Sequence, residues 1–414
     1  MYNSVLFMGA SMLELNKIYQ AKQKISDFVL KTPFTHSHFL SEISGKQVFL
    51  KNENLQITGA YKIRGAFNKI ASLSKDEQKR GVIAASAGNH AQGVAISAKN
   101  FGISATIVMP ESTPLLKVSA TRALGAEVIL KGDNFDEAYT FATEFAEEKG
   151  LVFIHPFEDE FVMAGQGTLM LEMLDEVPDL DMILVPVGGG GLISGVSSAA
   201  KQINPDIKVV GISAKGAPAM FQSYHAKKVQ NSKSVRTIAD GIAVRDADPI
   251  NLNIILENVD EFVQVDDEEI ANAVLFLLEK HKIIVEGAGA APVAALLHKK
   301  VDFKGVKKIG IILSGGNIDV QMLNIIIEKG LFKAHRKMHI NVTLIDKPGA
   351  LLSLTNSLKA ANANIIKIDY DRFSTALDYG DAMISITLET KGKEHKEQVR
   401  KILHSQGFKF SESV

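Results

Sequence analysis

Cysteine is absent from the 414 residues. Disulfides, thiolate zinc sites and cysteine-held iron–sulfur clusters are therefore excluded. Neither sign of charge dominates, with Lys+Arg 46 against Asp+Glu 47 and a net charge of -1. Bulk electrostatics thus give no reason to expect nucleic acid or an anionic membrane surface as partner. No uninterrupted apolar run is long enough to span a bilayer. The stretch Met1 to Ser11 is mildly apolar, but it lacks a basic start and is short for a signal peptide. Met12 is an alternative initiator, and a cytoplasmic location is the expectation. The length allows two or three domains.

What is present centres on Lys62, in Thr58-Gly59-Ala60-Tyr61-Lys62-Ile63-Arg64-Gly65-Ala66. The segment follows a strand-like run, Val48 to Lys51, and opens a helix-like one, Ala66 to Ile70. A helix N-terminus is a poor place for an ammonium group, because the dipole and any desolvation both disfavour it. Both effects push the group toward a nucleophilic amine, which forms Schiff bases with carbonyl cofactors. The commonplace alternative is a solvated surface lysine.

Three glycine-bearing loops count against that alternative. They are Ser86-Ala87-Gly88-Asn89-His90-Ala91-Gln92-Gly93, Val187-Gly188-Gly189-Gly190-Gly191-Leu192 and Leu313-Ser314-Gly315-Gly316-Asn317. Each follows a Val/Ile-rich strand-like run. In an open parallel sheet such positions gather at the carboxyl edge, where ligands bind. Four consecutive glycines before a helix bare their N–H groups as a phosphate cup.

Together and in this order, the motifs resemble the fold-type II pyridoxal phosphate (PLP) enzymes, and within them the threonine dehydratases (threonine ammonia-lyases). Thr237 to Val244 and Glu286 to Ala290 resemble further segments of that subgroup. The resemblance runs from about Met12 to Phe332. It implies an α/β catalytic region of tryptophan synthase β type over residues 1–332. A small domain of about residues 55–155 would be inserted in a larger one, with PLP in the cleft. The lack of cysteine also separates the chain from iron–sulfur serine dehydratases.

The resemblance assigns roles. Lys62 carries PLP as a Schiff base and, once released, removes the substrate Cα proton. The backbone of Gly188, Gly189, Gly190, Gly191 and Leu192 holds the phosphate. Asn89 meets the ring hydroxyl oxygen and Tyr61 packs on a ring face. The loop Ser86, Ala87, Gly88, Asn89 and His90 takes the substrate carboxylate, with His90 shaping the loop rather than acting as base. Ser314 faces the pyridine nitrogen. A hydroxyl cannot keep that nitrogen protonated as an aspartate would, so β-hydroxyl expulsion is favoured over a long-lived carbanion. The expected products are 2-oxobutanoate and ammonia from L-threonine, with pyruvate from L-serine as a secondary activity. Ala87 stands where serine racemases of the family carry a second serine, so racemisation is not expected. Ser213, with Lys215 two residues on, replaces a glutamate that helps many relatives bind a cation, and no metal site is expected. Glu286 is left open between the cofactor region and a cap for the helix from Gly287.

Beyond Lys333 to Lys337 the order becomes strand, helix, strand, strand, helix, which fits a ferredoxin-like βαββαβ fold. The turn Asp346-Lys347-Pro348-Gly349-Ala350-Leu351 resembles that of the ACT domain, an amino-acid-binding regulatory module. One such domain is expected over 336–414. Its effector contacts would be Asp346, Pro348, Gly349, Ala350, Leu351, Asn364 and Ile365. Such modules pair with one another, so a homodimer or homotetramer is expected. The run Lys391 to Lys396 reads as a solvated loop and helix start. The leading function is an allosteric threonine dehydratase on the way to isoleucine. A catabolic threonine/serine dehydratase is the nearest alternative, and a non-catalytic amino-acid sensor a distant one.

Overall fold

A computed structural model describes residues 13–413, so the expectations for Met1 to Met12 lie outside the described residues. The chain divides into two compact units that part between Ile318 and Asp319.

The first unit holds two sheets. One has six strands in the order Phe34–His36, Gln47–Asn52, Lys308–Leu313, Met182–Pro186, Lys208–Ala214, Glu261–Val265. All neighbours are parallel except the edge strand Phe34–His36, which runs antiparallel to Gln47–Asn52. The other sheet is all parallel, in the order Glu127–Leu130, Ala105–Met109, Val82–Ala85, Val152–Phe153. Met182–Pro186, Ala105–Met109 and Val82–Ala85 are buried at every position. Strands covered on both faces by helices read as such unbroken apolar runs. The α/β class read from the sequence is the one observed.

A single helix, Glu160–Glu176, is central to this unit and is buried from Val162 to Met173. Two other helices cross it at glycines. A Cβ on Gly165 would lie 2.5 Å from the Arg64 carbonyl oxygen and 2.6 Å from Gly65 Cα, which belong to the helix Lys62–Ala71. A Cβ on Gly195, in the helix Gly191–Ile203, would lie 2.2 Å from the Met163 carbonyl oxygen. Backbone cannot yield as a flexible side chain can. Gly195→Ala is therefore expected to lower stability by about 1–3 kcal/mol, measured by denaturant unfolding.

The second unit begins with the helix Val320–Lys333. The expected boundary near residues 332–336 had placed this helix with the catalytic region. The ion pair of Glu328 with Lys337, at 2.6 Å, ties it to the strand that follows. An antiparallel sheet then runs in the order Asn364–Asp371, Asp381–Glu389, Lys337–Ile345, Lys409–Ser413. With the helices Ala350–Ala360 and Lys393–Ser405 it forms the expected βαββαβ fold. Met338, Ile340, Val342 and Leu344 alternate inward and pack with Leu354, Leu358, Val399 and Leu403. The run from Lys391 is not wholly solvated, contrary to the sequence reading. Lys396 is buried and pairs with Glu412 at 2.5 Å.

Candidate active site

Lys62 is the first residue of the helix Lys62–Ala71, as its glycine-rich approach predicts. Its Nζ donates to the Pro156 carbonyl oxygen at 2.9 Å. No carboxylate pairs with it among the described residues. Burial pulls the amine down to about 8, against a weaker opposing pull from Glu286. Near neutrality a usable fraction is therefore the free, nucleophilic amine.

The preceding loop is stitched to the Ser314 turn. Tyr61 N–H donates to the Ser314 carbonyl at 3.0 Å, and Gly316 N–H donates to the Gly59 carbonyl at 2.8 Å. Ser314 is buried beside them. The ring of Tyr61 lies 5.5 Å from Lys62 Nζ.

The tetraglycine turn leads from the strand Met182–Pro186 into the helix Gly191–Ile203. Gly190 has φ 96, in the left-handed region that favours glycine. A Cβ on Gly189 would strike the Phe157 ring at 2.5 Å. The N–H groups from Gly188 to Leu192 have no acceptor among the described residues. Five bare donors at a helix N-terminus, with side chains excluded, fit a phosphate group. Pro156, which accepts from Lys62, immediately precedes Phe157, which walls the cup. Asn251 closes the other side, donating to the Phe157 carbonyl at 3.2 Å and accepting from Ser194 at 2.8 Å.

The third loop ends in the helix Asn89–Asn100, whose N-cap residue Gly88 supplies no side chain. Gly88 N–H donates to Ser86 Oγ at 3.2 Å. The N–H groups of Ala87, Asn89 and His90 have no acceptor among the described residues, which again suits an anion. The His90 imidazole turns away, its Nε2–H donating to the Ile154 carbonyl at 2.8 Å. Burial first, then Lys62, holds His90 down at about 3, so it is neutral. The same two influences bring His155 down to about 4.

Sequence reasoning missed two clusters here. Arg64, two residues past Lys62, is fully buried. Its Nε donates to Glu53 at 2.8 Å, its Nη1 to Glu172 at 2.6 Å, and its Nη2 to both carboxylates at 2.9 Å. Lys51 completes the cluster, donating to Glu172 and to the Thr32 carbonyl, each at 2.6 Å. An arginine on the apolar face of a helix was the available signal. The second cluster is Asn89 with Glu286, whose carboxyl burial lifts to about 7. Glu286 occupies the N-cap position of the helix Gly287–Leu297 but makes no cap bond, so the cap reading is not what is observed.

Ser213 is buried with no partner for its hydroxyl, and Lys215 pairs with Asp266 at 3.2 Å. Groups of three or more metal-ligating side chains are absent among the described residues. No helix of the described residues is long and apolar enough to cross a membrane.

In the second unit the expected effector residues do not converge within one copy. Asp346 follows the last residue of the strand Lys337–Ile345, whereas Asn364 lies level with its first, through Glu389. At about 3.3 Å per residue the two ends stand roughly 25 Å apart. Tyr370 and Arg372 instead approach Asp346, donating to its Oδ1 at 2.8 and 3.0 Å. Gly349 has φ 89 and opens the helix Ala350–Ala360.

Residues 25–315 match the family described as pyridoxal-phosphate dependent enzyme. The L-threonine ammonia-lyase of Thermotoga maritima is 48% identical over 397 residues, covering 96% of this chain and 98% of that one. A catabolic L-threonine dehydratase of Staphylococcus aureus is 45% identical over 332 residues, covering 80% of this chain and 96% of its own. Among solved structures, maize serine racemase superposes with a TM-score of 0.73 at 38% identity, covering 78% of this chain and all of that one. The chain belongs to the pyridoxal-phosphate-dependent enzymes.

Proposed function

We propose that the chain is a threonine ammonia-lyase, converting L-threonine to 2-oxobutanoate and ammonia, with L-serine as a slower substrate. The observation that carries this is the desolvated Lys62 amine, whose acceptor Pro156 immediately precedes Phe157, the wall of a cup of five unpaired N–H groups. The relatives named above agree with it.

When bound, PLP supplies an aldehyde that condenses with amines and a ring that accepts the electron pair of a breaking Cα–H bond. Gly188 to Leu192 would bind its phosphate through backbone N–H groups. Asn89 would donate toward the ring oxygen, and Tyr61 would cover one face. Ser314 offers a hydroxyl and no formal charge. The N–H groups of Ala87, Asn89 and His90, with the Ser86 hydroxyl, orient the substrate carboxylate. Lys62 then takes the Cα proton as its neutral amine. Ala87 carries no proton to return from the opposite side, which favours elimination over racemisation. The product enamine hydrolyses to the 2-oxo acid and ammonia after it leaves.

The second unit supports regulation. The uncapped helix start at Gly349, with Asp346 beside it, suits an α-amino-acid effector such as isoleucine. Ile366, Ile368 and Tyr370 are exposed on the edge strand Asn364–Asp371, which supports a homodimer or homotetramer. These features favour a biosynthetic, feedback-controlled role in a cytoplasmic enzyme over the catabolic one.

The test is 2-oxo acid release from L-threonine and L-serine, with and without isoleucine or valine. Faster release from threonine, suppressed by isoleucine, is expected. Equal release from both without any isoleucine response would move the reading to the catabolic enzyme. No release from a protein that binds PLP would refute the lyase assignment.

A further inference from the structure

Glu286 has no role in the steps above, yet two glycines make room for it. A Cβ on Gly315 would lie 2.5 Å from its Oε1, and one on Gly241 would lie 3.2 Å away. The carboxyl is 8% exposed and its Oε1 accepts from Asn89 Nδ2 at 2.7 Å. On the other side of the same amide, Asn89 Oδ1 accepts from Asn317 Nδ2 at 2.8 Å. Asn317 is itself fixed, because its Nδ2 also donates to the Thr58 carbonyl at 2.7 Å.

A primary amide has two N–H donors and one carbonyl. Glu286 and Asn317 consume one donor and the carbonyl of Asn89. Flipping that amide would set Nδ2 against Nδ2 and oxygen against oxygen. One orientation survives, and it leaves a single N–H unassigned. Asn89 stands on the helix that follows the small-sheet strand Val82–Ala85, whereas Asn317 ends the turn after the large-sheet strand Lys308–Leu313 and Glu286 is bonded to that turn through its N–H to the Gly315 carbonyl at 3.0 Å. The hydrogen bonds therefore join the two halves of the cleft.

We propose that Glu286 is a positioning residue, locking the Asn89 amide so that its remaining N–H is aimed at the ring oxygen of the cofactor. This rests on the reading that Asn89 meets that oxygen, and it assigns Glu286 no contact with substrate. Gln at this position keeps an acceptor oxygen, whereas Ala or Met removes it.

The test titrates PLP into the cofactor-free protein and follows the visible absorption band of the bound cofactor. Wild type, E286A, E286Q, N89A and E286A/N89A are compared, each checked for folding by circular dichroism. E286A is expected to bind PLP about tenfold more weakly and to shift the band. E286Q should return within about threefold of wild type. The double variant should lose no more than N89A alone, since Glu286 acts through Asn89. Glu286→Met fills the space without an acceptor and gives the same reading if E286A unfolds. Losses that multiply in the double variant overturn the proposal. So does N89A impaired with E286A and E286M intact. N89A titrating like wild type overturns the Asn89 assignment itself, and the proposal with it.

Discussion

Arg64→Leu is expected to lower the free energy of unfolding by about 3–5 kcal/mol, far more than the loss of an exposed ion pair. Arg64, Glu53 and Lys51 are each fully buried, and Glu172 nearly so. Two cations and two carboxylates balance within the cluster. Without the guanidinium, two buried carboxylates face Lys51 alone. Burial opposes ionisation of Glu53, yet Arg64 holds its carboxyl below the usual range. That stabilisation is present above the ordinary carboxylate pKa and fades as the pH falls through the depressed one. The gap between wild type and variant should therefore be widest near neutrality and narrow in acid. Urea unfolding at pH 7.5 and at pH 3, below the ordinary carboxylate pKa, measures both. A gap below about 1 kcal/mol at pH 7.5 would show that the cluster contributes little. Replacing all four residues by apolar ones of similar volume should recover most of the loss, because the cost lies in the orphaned charges.

Lys62→Met should abolish turnover, by about 10⁴-fold or more, and yet stabilise the cofactor-free protein by about 1–3 kcal/mol at pH 7. The amine is half-buried with only a carbonyl for a partner, and desolvation brings it from 10.5 to about 8. A depressed lysine means that the unfolded chain binds more protons between those values. Wild-type stability from this group therefore rises with pH from about 8 to 10.5, and the methionine variant lacks that rise. The two proteins should converge toward pH 10. Thermal melting of both across pH 7–10 reads that convergence directly. A destabilised variant would mean that Lys62 is held by more than Pro156.

Much of this was legible in the sequence, for reasons particular residues make plain. Lys62 falls at a helix start because Gly59, three residues before it, takes a left-handed φ of 70 that breaks an earlier helix. The tetraglycine turn is legible because buried parallel strands are unbroken apolar runs and Gly190 marks where the chain turns left-handed. Alternation in Met338 to Leu344 reveals a half-buried strand. Contacts between distant segments were not legible. Asn89 and Glu286 are 197 residues apart, and Arg64 and Glu172 are 108 apart. No local pattern reports such pairings. Within one copy, strand register sets Asn364 and Asp346 at opposite ends of a sheet, a separation that no local pattern reports. Lys396 looked solvated because its burial depends on Glu412, a partner that arrives with the last strand.

The glycine crossings of the helix Glu160–Glu176 bear on how such a cleft diversifies. The helix that carries Lys62 and the helix that follows the tetraglycine turn both meet it backbone to backbone, at Gly165 and Gly167. Neither separation depends on the size of a side chain at the crossing. Residues lining the cleft, such as Ala87, can therefore be exchanged without moving the amine relative to the anion cup. Reaction type and substrate are free to drift on a frame whose two chemical anchors stay put, as expected of a fold shared at 38% identity with a racemase.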